Sequence, residues 1–542
     1  MTDGEEPTPE ERRLPHASVD NPDDLFDSVK DPGATALGGS GTEAASDLPW
    51  FALLRHRVGT KAAQSPRYQW WVLRSLLAGL LALNFTFTAF NIVLIKVSHE
   101  FHSSTTVLGW TLTGPLLAFG LAAPIFGRAS DVFGHRRLYL FGLLGAMVSA
   151  VLTALAMNTT MLLAARTLDG VQGAATATAS MALINKVFAK EDRVKALGWW
   201  SLIGAGGPVV GLTVGAPIIV AVGWRGLFWV QLVLLAIAFV VVSSIIPRSM
   251  DNIAAGTKKV SWEGMDWIGN WSLMVAVLGT MLGLTMLEHH PATSPIELTL
   301  FSLGALGAAV FVWRLTHAEH PLIPKRYFTT RNFVFPMVVR STANFAYFSG
   351  FVLFPLLMTV GYAATTAQVG VYSIPRPIVF AIASPIAGYA AVKFGERSTT
   401  IFGAIALCSS LILFALAATG TPVWMLMIAL GLSGIGMGTA MPATSATMAN
   451  EVEEHEYGVM SAAGLIATQV GEVAGITIVM AIQAAKQRAL GPNPTQAQLL
   501  GTFHLSFIIA GVVGAIGIGA SLFMRSMDRS KPSADHEPIA EL

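Results

Sequence analysis

The sequence predicts an all-α, polytopic membrane protein with about fourteen transmembrane helices, and three observations support this fold class. Hydrophobic residues make up 53% of the 542 residues, and charged residues make up only 12%. In a soluble protein about a quarter of the residues are charged, so lipid must cover much of the surface of this protein. Apolar runs of about twenty residues, the length that crosses a ~30 Å hydrocarbon core, alternate with short polar breaks. Two distant segments of the chain also resemble each other.

The apolar runs divide the chain into five segments. The first segment is polar or basic and lacks hydrophobic periodicity, so we expect a disordered tail that ends in a basic juxtamembrane stretch. No polar break is long enough to hold a soluble domain. The predicted organisation is a cytoplasmic tail at 1–69, a six-helix half at 70–246, a linker with two additional helices at 247–332, a second six-helix half at 333–525 and a tail at 526–542.

The distribution of basic residues predicts the orientation in the membrane. Lys and Arg are concentrated in the polar breaks at 128–137, 186–195, 258–259, 325–331 and 393–397, which share one side of the predicted fold. Loops rich in positive charge remain in the cytoplasm. With an even number of spans, both termini are then cytoplasmic, in a multi-pass protein of the plasma membrane.

Composition also limits the partners that the chain can have. The net charge of +1 gives no reason to expect nucleic acid. A single cysteine, Cys408, provides neither a disulfide framework nor a thiolate metal site. The histidines lack the spacing of metal ligands, and no nucleophile arrangement indicates an enzyme. We therefore expect no metal and no cofactor, and a monomer surrounded by membrane lipids.

The two related segments lie at 124–136 and 385–397. Without a gap, seven of their thirteen positions are identical, among them Pro124 with Pro385 and Gly134 with Gly395. Each copy ends an apolar span and begins a short turn. Two related halves around a central axis are a common way to build a transport site that opens to either side of a membrane.

The first copy has the residues of a tight loop between two membrane helices. Gly127 lets two helices approach closely, and Gly134 permits a turn with positive φ. Asp131 can lie at the N-terminus of a neighbouring helix or pair with a basic residue, and such a contact must break when the loop side opens. With Arg136 and Arg137, the segment resembles the cytoplasmic loop signature of the major facilitator superfamily, which implies a gating role. The alternative is a generic basic loop.

The fourth span carries charge at membrane depth. Arg166 and Asp169 are spaced i, i+3, so they lie on one helix face. An isolated charge there costs at least ~3 kcal/mol, so the pair must face a partner or a wet cavity. The segment resembles the Arg-x-x-Gln-Gly motif of the superfamily, whose Arg is implicated in proton coupling, with Asp169 where Gln is usual. The pair is either a structural ion pair or one whose attraction depends on protonation.

The fifth span favours export. Gly207, Pro208 and Gly211 resemble the Gly-Pro-x-x-Gly-Gly motif of antiporters, with Leu212 in place of the last Gly. Small residues permit close packing, and Pro208 bends the helix. Segments at 266–269 and 320–328 resemble the linker of the fourteen-span drug:proton antiporters, the multidrug efflux branch. The resemblance implies the major facilitator fold of two six-helix halves plus two linker helices, with a proton gradient as the driving force.

The first span departs from that branch. Thr86 stands where the branch usually has an Asp, and a hydroxyl cannot carry a proton near neutral pH. Glu472, in the middle of a later span, is the predicted replacement, because a carboxyl group is cheap to leave in a membrane only when it carries a proton. The predicted proton-coupling residues are therefore Asp169, Glu472 and Arg166. The alternative for Glu472 is a hydrogen bond to a helix partner without a transport role.

Aromatic and polar residues in two spans predict a substrate cavity. Apolar walls with a few polar groups suit amphiphilic molecules. Membrane aromatics also face lipid or pack between helices, and Arg376 either holds Glu472, binds an anionic substrate or extends to the membrane surface. The predicted lining is Phe87, Phe90 and Asn91 from the first span, Asn344, Phe348 and Phe351 from the ninth, and Arg376.

These features lead to one principal hypothesis and two alternatives. The first is a secondary active transporter, not an enzyme, that exports small amphiphilic drugs or metabolites in exchange for protons. The second is an exporter of an endogenous lipid or a cell-envelope precursor. A membrane-embedded enzyme or receptor is the third. Four glutamates at 451–456 are interpreted as a solvated turn.

Overall fold

The computed structural model describes most of the chain between residues 65 and 526. The described residues are 65, 67–103, 105–247, 266–286, 294–318, 321, 325–418, 420–490 and 494–526. They all belong to one compact unit, Val58–Leu542. The tails predicted at 1–69 and 526–542 fall almost entirely outside the described residues, so the disorder expected for the first tail stays a prediction.

Six helices form the first half, and the described residues contain no strand. The helices are α1 (Tyr68–Glu100), α2 (Thr105–Phe133), α3 (His135–Ala154), α4 (Thr159–Val187), α5 (Arg193–Val210) and α6 (Ala216–Ile245). Asn158 begins α4, because its side chain accepts a hydrogen bond of 2.8 Å from the Met161 amide. The predicted exporter motif lies at the end of α5, which continues as a π-helical turn, Gly211–Gly215.

The described part of the linker contains two long helices and one short one, namely α7 (Trp267–Met286), α8 (Pro295–His317) and α9 (Lys325–Thr329). α7 and α8 pack closely, since a Cβ added to Gly279 would lie 2.6 Å from the Gly304 amide nitrogen. Asp266 joins them at one end. Its Oδ1 accepts a hydrogen bond of 2.9 Å from the Gly269 amide and forms an ion pair of 2.7 Å with Arg314 of α8.

Asp266→Asn is expected to lower the free energy of unfolding by about 2 kcal/mol, because the neutral side chain leaves Arg314 without its counter-charge. Thermal unfolding of the purified protein measures the loss as a lower Tm. The control is the double variant Asp266→Asn, Arg314→Gln, which removes the stranded charge and should be more stable than the single variant. A double variant less stable than Asp266→Asn would contradict the prediction.

The described residues of the second half form seven α-helices. They are α10 (Arg331–Leu356), α11 (Thr366–Ser373), α12 (Pro375–Phe394), α13 (Glu396–Ala415), α14 (Val423–Asn450), α15 (Tyr457–Arg488) and α16 (Gln496–Phe523). Ten helices within the described ranges are long and apolar enough to cross a membrane, which confirms the all-α membrane fold class. The count of fourteen spans stays a prediction.

The internal repeat occupies equivalent positions in the two halves. Gly134 begins α3 with a φ of +97°, and Gly395 begins α13 with a φ of +87°, so the predicted positive φ at Gly134 is confirmed. Each copy also ends a helix that packs on the opposite half. α2 packs on α15, and α12 packs on α5. We call the end of the fold that carries the α2–α3, α4–α5, α12–α13 and α14–α15 loops the basic end.

Additional contacts between helices show where the two halves meet. α4 also packs on α15, and α5 also packs on α14. The linker helix α7 contacts both α2 and α15, so it lies beside the α2–α15 interface. At the end opposite the basic end, Glu100 of α1 accepts a hydrogen bond of 2.9 Å from the Trp224 indole and pairs with Arg225, both in the first half.

Candidate functional site

The α2–α15 interface depends on two glycines. A Cβ added to Gly127 would lie 2.6 Å from the Ala462 Cβ and 2.7 Å from the Gly458 carbonyl oxygen. Gly458 likewise packs directly against Gly127 and Asp131, which leave no room for a side chain at position 458. Because a larger residue at either position would force the helices apart, this contact requires glycine on both sides.

Asp131 crosses from the first half to the start of α15. Its two carboxylate oxygens accept hydrogen bonds of 2.7 Å from the Gly458 amide and 3.0 Å from the Val459 amide. The first amides of a helix lack internal partners and carry partial positive charge, so a buried carboxylate stabilises them. The sequence allowed Asp131 either to lie at a helix N-terminus or to pair with a basic residue, and the structure shows the first arrangement. Its gating role stays a prediction.

The other residues of the loop anchor it to its own half. The Arg136 guanidinium donates hydrogen bonds of 2.5 Å to the Ile246 carbonyl and 3.1 Å to the Ser243 carbonyl, at the end of α6. Arg136 is buried, whereas Arg137 is exposed. A cation at a helix C-terminus is favourable, so the loop is fixed to α6 on one side while Asp131 holds α15 on the other.

Arg193 makes a second contact across the halves at the basic end. From the start of α5 it donates hydrogen bonds of 3.2 Å to the Ala449 carbonyl and 3.1 Å to Asn450 Oδ1, at the end of α14, and it also donates to the Tyr457 hydroxyl. Sequence reasoning assigned Arg193 only to a basic loop. Its partners are more than 250 residues away, and no local pattern identifies them.

The α14–α15 loop, residues 451–456, is held on several sides. Glu456 is 8% exposed and accepts a hydrogen bond of 2.9 Å from Arg326 of α9. Glu453 pairs with Arg326 at 2.6 Å, and Glu454 pairs with Lys186 of α4 at 3.3 Å. The interpretation of this loop as a solvated turn therefore holds for Glu451, Glu453 and Glu454, which are exposed, and is wrong for Glu456, which is buried and bound by α9.

Asp131→Asn is expected to shift the balance between closed and open forms of the basic end about tenfold toward open, because the neutral side chain loses its attraction to the α15 terminus. Double electron–electron resonance measures this as a longer distance between spin labels at Phe133 and Phe394, on exposed repeat positions, with Cys408 replaced by Ala. A distance distribution identical to that of the parent would contradict the prediction.

The predicted pair in α4 forms, and both oxygens of its acid are engaged. Arg166 donates a hydrogen bond of 2.8 Å to Asp169 Oδ2, and Gln172 donates one of 2.8 Å to Asp169 Oδ1. Arg166 is 1% exposed, and its guanidinium lies 6.0 Å from the centre of the Phe228 ring. Asp169 is therefore held by two residues of its own helix, which is the geometry of a structural ion pair.

Glu472 has a different environment. It lies on α15 between Gly471 and Gly475, which pack against the α10 backbone. It is 9% exposed, and within the described part of the chain its carboxyl group makes no hydrogen bond and no ion pair. Of the two predicted acids, Glu472 is thus the one without a partner.

Arg376 lies in an aromatic cluster of the second half. Its Nη2 donates a hydrogen bond of 2.6 Å to the Tyr347 carbonyl, and its guanidinium lies 4.2 Å from the Tyr347 ring centre and 5.8 Å from that of Phe351. Phe348 lies 5.8 Å from Phe351 and 5.3 Å from Tyr347. Arg376 forms no ion pair with Glu472 among the described contacts, so it does not hold that acid in this structure.

The remaining predicted residues are less completely described. Asn344 is fully buried between α10 and α14 and donates a hydrogen bond of 2.7 Å to the Arg340 carbonyl. Gly207 packs on Asn84 of α1, and Gly211 is buried at the start of the π-helical turn. The side chains of Phe87, Phe90, Asn91 and Pro208 fall outside the described residues. The predicted role of Phe87, Phe90, Asn91 and Asn344 in lining a cavity stays a prediction.

Two repeated helical halves, closed against each other at one end and carrying an unpaired acid between helices, define a class of protein: the membrane transporters. The chain matches the model of the Major Facilitator Superfamily over residues 75–476 and 341–541. It therefore belongs to the Major Facilitator Superfamily. Members of this superfamily are transporters and not enzymes, so the prediction that the chain is not an enzyme is confirmed.

Named relatives and a solved structure agree with this membership. The chain is 24% identical to the uncharacterized MFS-type transporter YvkA of Bacillus subtilis (strain 168), covering 86% of this chain and 98% of that protein. It is 27% identical to the puromycin resistance protein pur8 of Streptomyces alboniger, covering 90% and 97%. The proton:xylose symporter XylE, 15% identical, superimposes with a TM-score of 0.57 over 84% of this chain and 95% of XylE, which shows the shared fold.

Proposed function

We propose that the protein exports small amphiphilic compounds in exchange for protons by alternating access. One observation carries the proposal. The closing contact with Asp131 and the unpaired Glu472 lie on the same helix, α15, about four turns apart. A rigid helix that carries both groups links the protonation of one to the opening of the other.

The energetics of Glu472 explain this link. A neutral carboxyl group is tolerated in its buried position, whereas a carboxylate there costs at least ~3 kcal/mol unless water or a counter-charge reaches it. A movement of α15 away from α2 brings water to the carboxyl group and releases its proton. With Glu472 ionised, α15 closes onto Asp131 again only when substrate is bound, and Glu472 takes up its next proton from the outer side, so a proton enters as substrate leaves. The protonation state therefore biases which end is open.

The orientation follows from the basic loops. Because positively charged loops remain in the cytoplasm, the basic end and both termini are cytoplasmic. A structure closed at the basic end is then the state that opens to the outside. The halves at 70–246 and 333–525 move against each other, with the linker at 247–332 between them. The transporter works as a monomer in the plasma membrane, surrounded by lipid.

The substrate class follows from the aromatic cluster and the relatives. Phe348, Phe351 and Arg376 form one wall of the proposed cavity, and the contribution of Phe87, Phe90 and Asn91 stays a prediction from the sequence. Apolar walls with few polar groups suit amphiphiles. Export of antibiotics is supported by the name of the puromycin resistance protein among the relatives. We therefore place this chain in the multidrug efflux branch as part of the proposal.

Transport in inverted membrane vesicles tests the proposal. With an acidic interior, vesicles that contain the protein should accumulate puromycin or the fluorescent amphiphile ethidium, and vesicles without it should not. Nigericin, which collapses the pH gradient, should abolish the accumulation. Accumulation that persists after collapse would refute proton coupling. Accumulation of a labelled phospholipid in place of both drugs would favour the lipid-export alternative.

A further inference from the structure

The short linker helix α9 is attached to the same loop that positions the start of α15. Arg326 donates to Glu456 at 2.9 Å and pairs with Glu453 at 2.6 Å. Tyr327, the next residue, also donates its hydroxyl hydrogen to Glu456. Two successive side chains of α9 thus bind one buried carboxylate, and this carboxylate immediately precedes the first residue of α15.

The contact is built into a packed surface. Tyr327 is 4% exposed and stacks on Phe333 of α10 with ring centres 5.2 Å apart. Burial and the hydrogen bond to Glu456 raise the pKa of the Tyr327 phenol to about 12, so it remains a donor at any physiological pH. The Arg326 guanidinium lies 4.9 Å from the Tyr327 ring centre, which aligns it toward Glu456.

The long linker helices meet the same region. Tyr327 belongs to an apolar cluster that includes Tyr457 and Val459 at the start of α15. Leu273 of α7 and Phe311 of α8 pack against this cluster. Since α7 also contacts α2, the linker touches both partners of the α2–α15 interface.

The sequence of contacts along the loop gives their consequence. Glu456 is two residues from Gly458 and three from Val459, the residues whose amides donate to Asp131. A carboxylate fixed by Arg326 and Tyr327 restricts the backbone that follows it, so the two amides point at Asp131 before the halves close. Without this anchor, the loop must be ordered at each closure, at an entropic cost.

We propose that the linker is a working part of the gate, in which Arg326 and Tyr327 act as positioning residues that hold Glu456 and so present the start of α15 to Asp131. The additional linker then helps to determine how long the basic end stays closed. It rests on alternating access in the proposed function, but on neither the substrate nor the proton.

A double-mutant cycle tests this role. The readout is the ratio of closed to open forms, from the distance between spin labels at Phe133 and Phe394 in protein reconstituted without substrate or pH gradient. Arg326→Gln should lower the ratio about three- to tenfold, because the ion pair is partly exposed while Glu456 is buried. In the Asp131→Asn background, the same substitution should change the ratio less than twofold, since both residues act through the start of α15.

Matched variants separate positioning from general stability. Lys325→Gln removes a neighbouring exposed charge of α9 and should leave the ratio unchanged. Tyr327→Phe keeps the ring that stacks on Phe333 and loses only the hydroxyl, so it should act like Arg326→Gln even if the latter folds poorly. Equal effects of Lys325→Gln and Arg326→Gln, or effects of Arg326→Gln and Asp131→Asn that simply add, would overturn the proposal. Because no transport is measured, failure of proton-coupled export leaves this test intact.

Discussion

Replacement of Glu472 by Gln is expected to abolish export driven by a pH gradient while leaving the exchange of substrate across the membrane near the parent rate. Gln has the size and polarity of a protonated Glu but cannot release a proton. The movement of α15 then no longer depends on pH, because the side chain at position 472 is permanently neutral and never needs water to stabilise a charge. Inverted vesicles with an imposed gradient measure the first activity, and counterflow of labelled substrate at equal pH measures the second.

Asp169→Asn is the matched control for this prediction. Asp169 is already held by Arg166 and Gln172, so Asp169→Asn should remove the counter-charge next to the buried Arg166 guanidinium and lower stability and total activity together. What activity remains should still depend on the gradient. Gradient-driven export by Glu472→Gln at more than a tenth of the parent rate would contradict the assignment. The assignment would also be contradicted if the Asp169→Asn protein, and not the Glu472→Gln protein, showed uncoupled counterflow.

Gly127→Leu is expected to prevent closure of the basic end and to stop export. The new side chain would meet the Gly458 carbonyl and the Ala462 side chain at distances that no real Cβ shows. Overpacking of this kind costs about 3 kcal/mol or more, which is about a hundredfold in a two-state equilibrium. The cost falls on the closed form, because the clashing atoms belong to the opposite half. The same spin-label pair should report a predominantly open distance.

Gly519→Leu provides the control for the helix substitution. Gly519 lies in α16, and a Cβ there would meet no atom within 4 Å. It should therefore fold, export and close like the parent protein. A Gly127→Leu protein that is well folded and shows the parent distance distribution would contradict the prediction, whatever its transport rate.

The sequence predicts the parts of the site that depend on local chemistry. Gly134 lies in a turn between two helices, and the positive φ expected there is observed. The spacing of Arg166 and Asp169 places them on one helix face, and they pair. For Asp131, elementary electrostatics left two partners open, a helix N-terminus or a basic residue. Only the packing of α2 on α15 decides between them, and no residue near Asp131 in the chain encodes that packing.

The contacts missed by sequence reasoning join residues that are far apart in the chain. Arg326 and Glu456 are separated by 130 positions, and Arg193 and Ala449 by 256. Arg193, Arg326 and Glu456 each have the polarity of an ordinary loop residue, so composition and periodicity do not distinguish them. The acids at 451–456 were interpreted as a solvated turn, and nothing within that loop distinguishes the buried Glu456 from its three exposed neighbours. The opposing charges come from α4 and α9.

The two copies of the repeat differ at six of their thirteen positions, and one of these differences has a mechanical consequence. Val392 occupies in the second copy the place of Asp131 in the first. At the α5–α12 interface the backbones lie close together instead, since a Cβ added to Gly388 would lie 2.7 Å from the Val194 carbonyl oxygen, and the Lys195 ammonium lies 5.8 Å from the Tyr389 ring centre. The helix amides that bind Asp131 can exchange the carboxylate for water, whereas close backbone packing has no such substitute. We therefore expect the α2–α15 contact to separate more readily than the α5–α12 contact when the basic end opens.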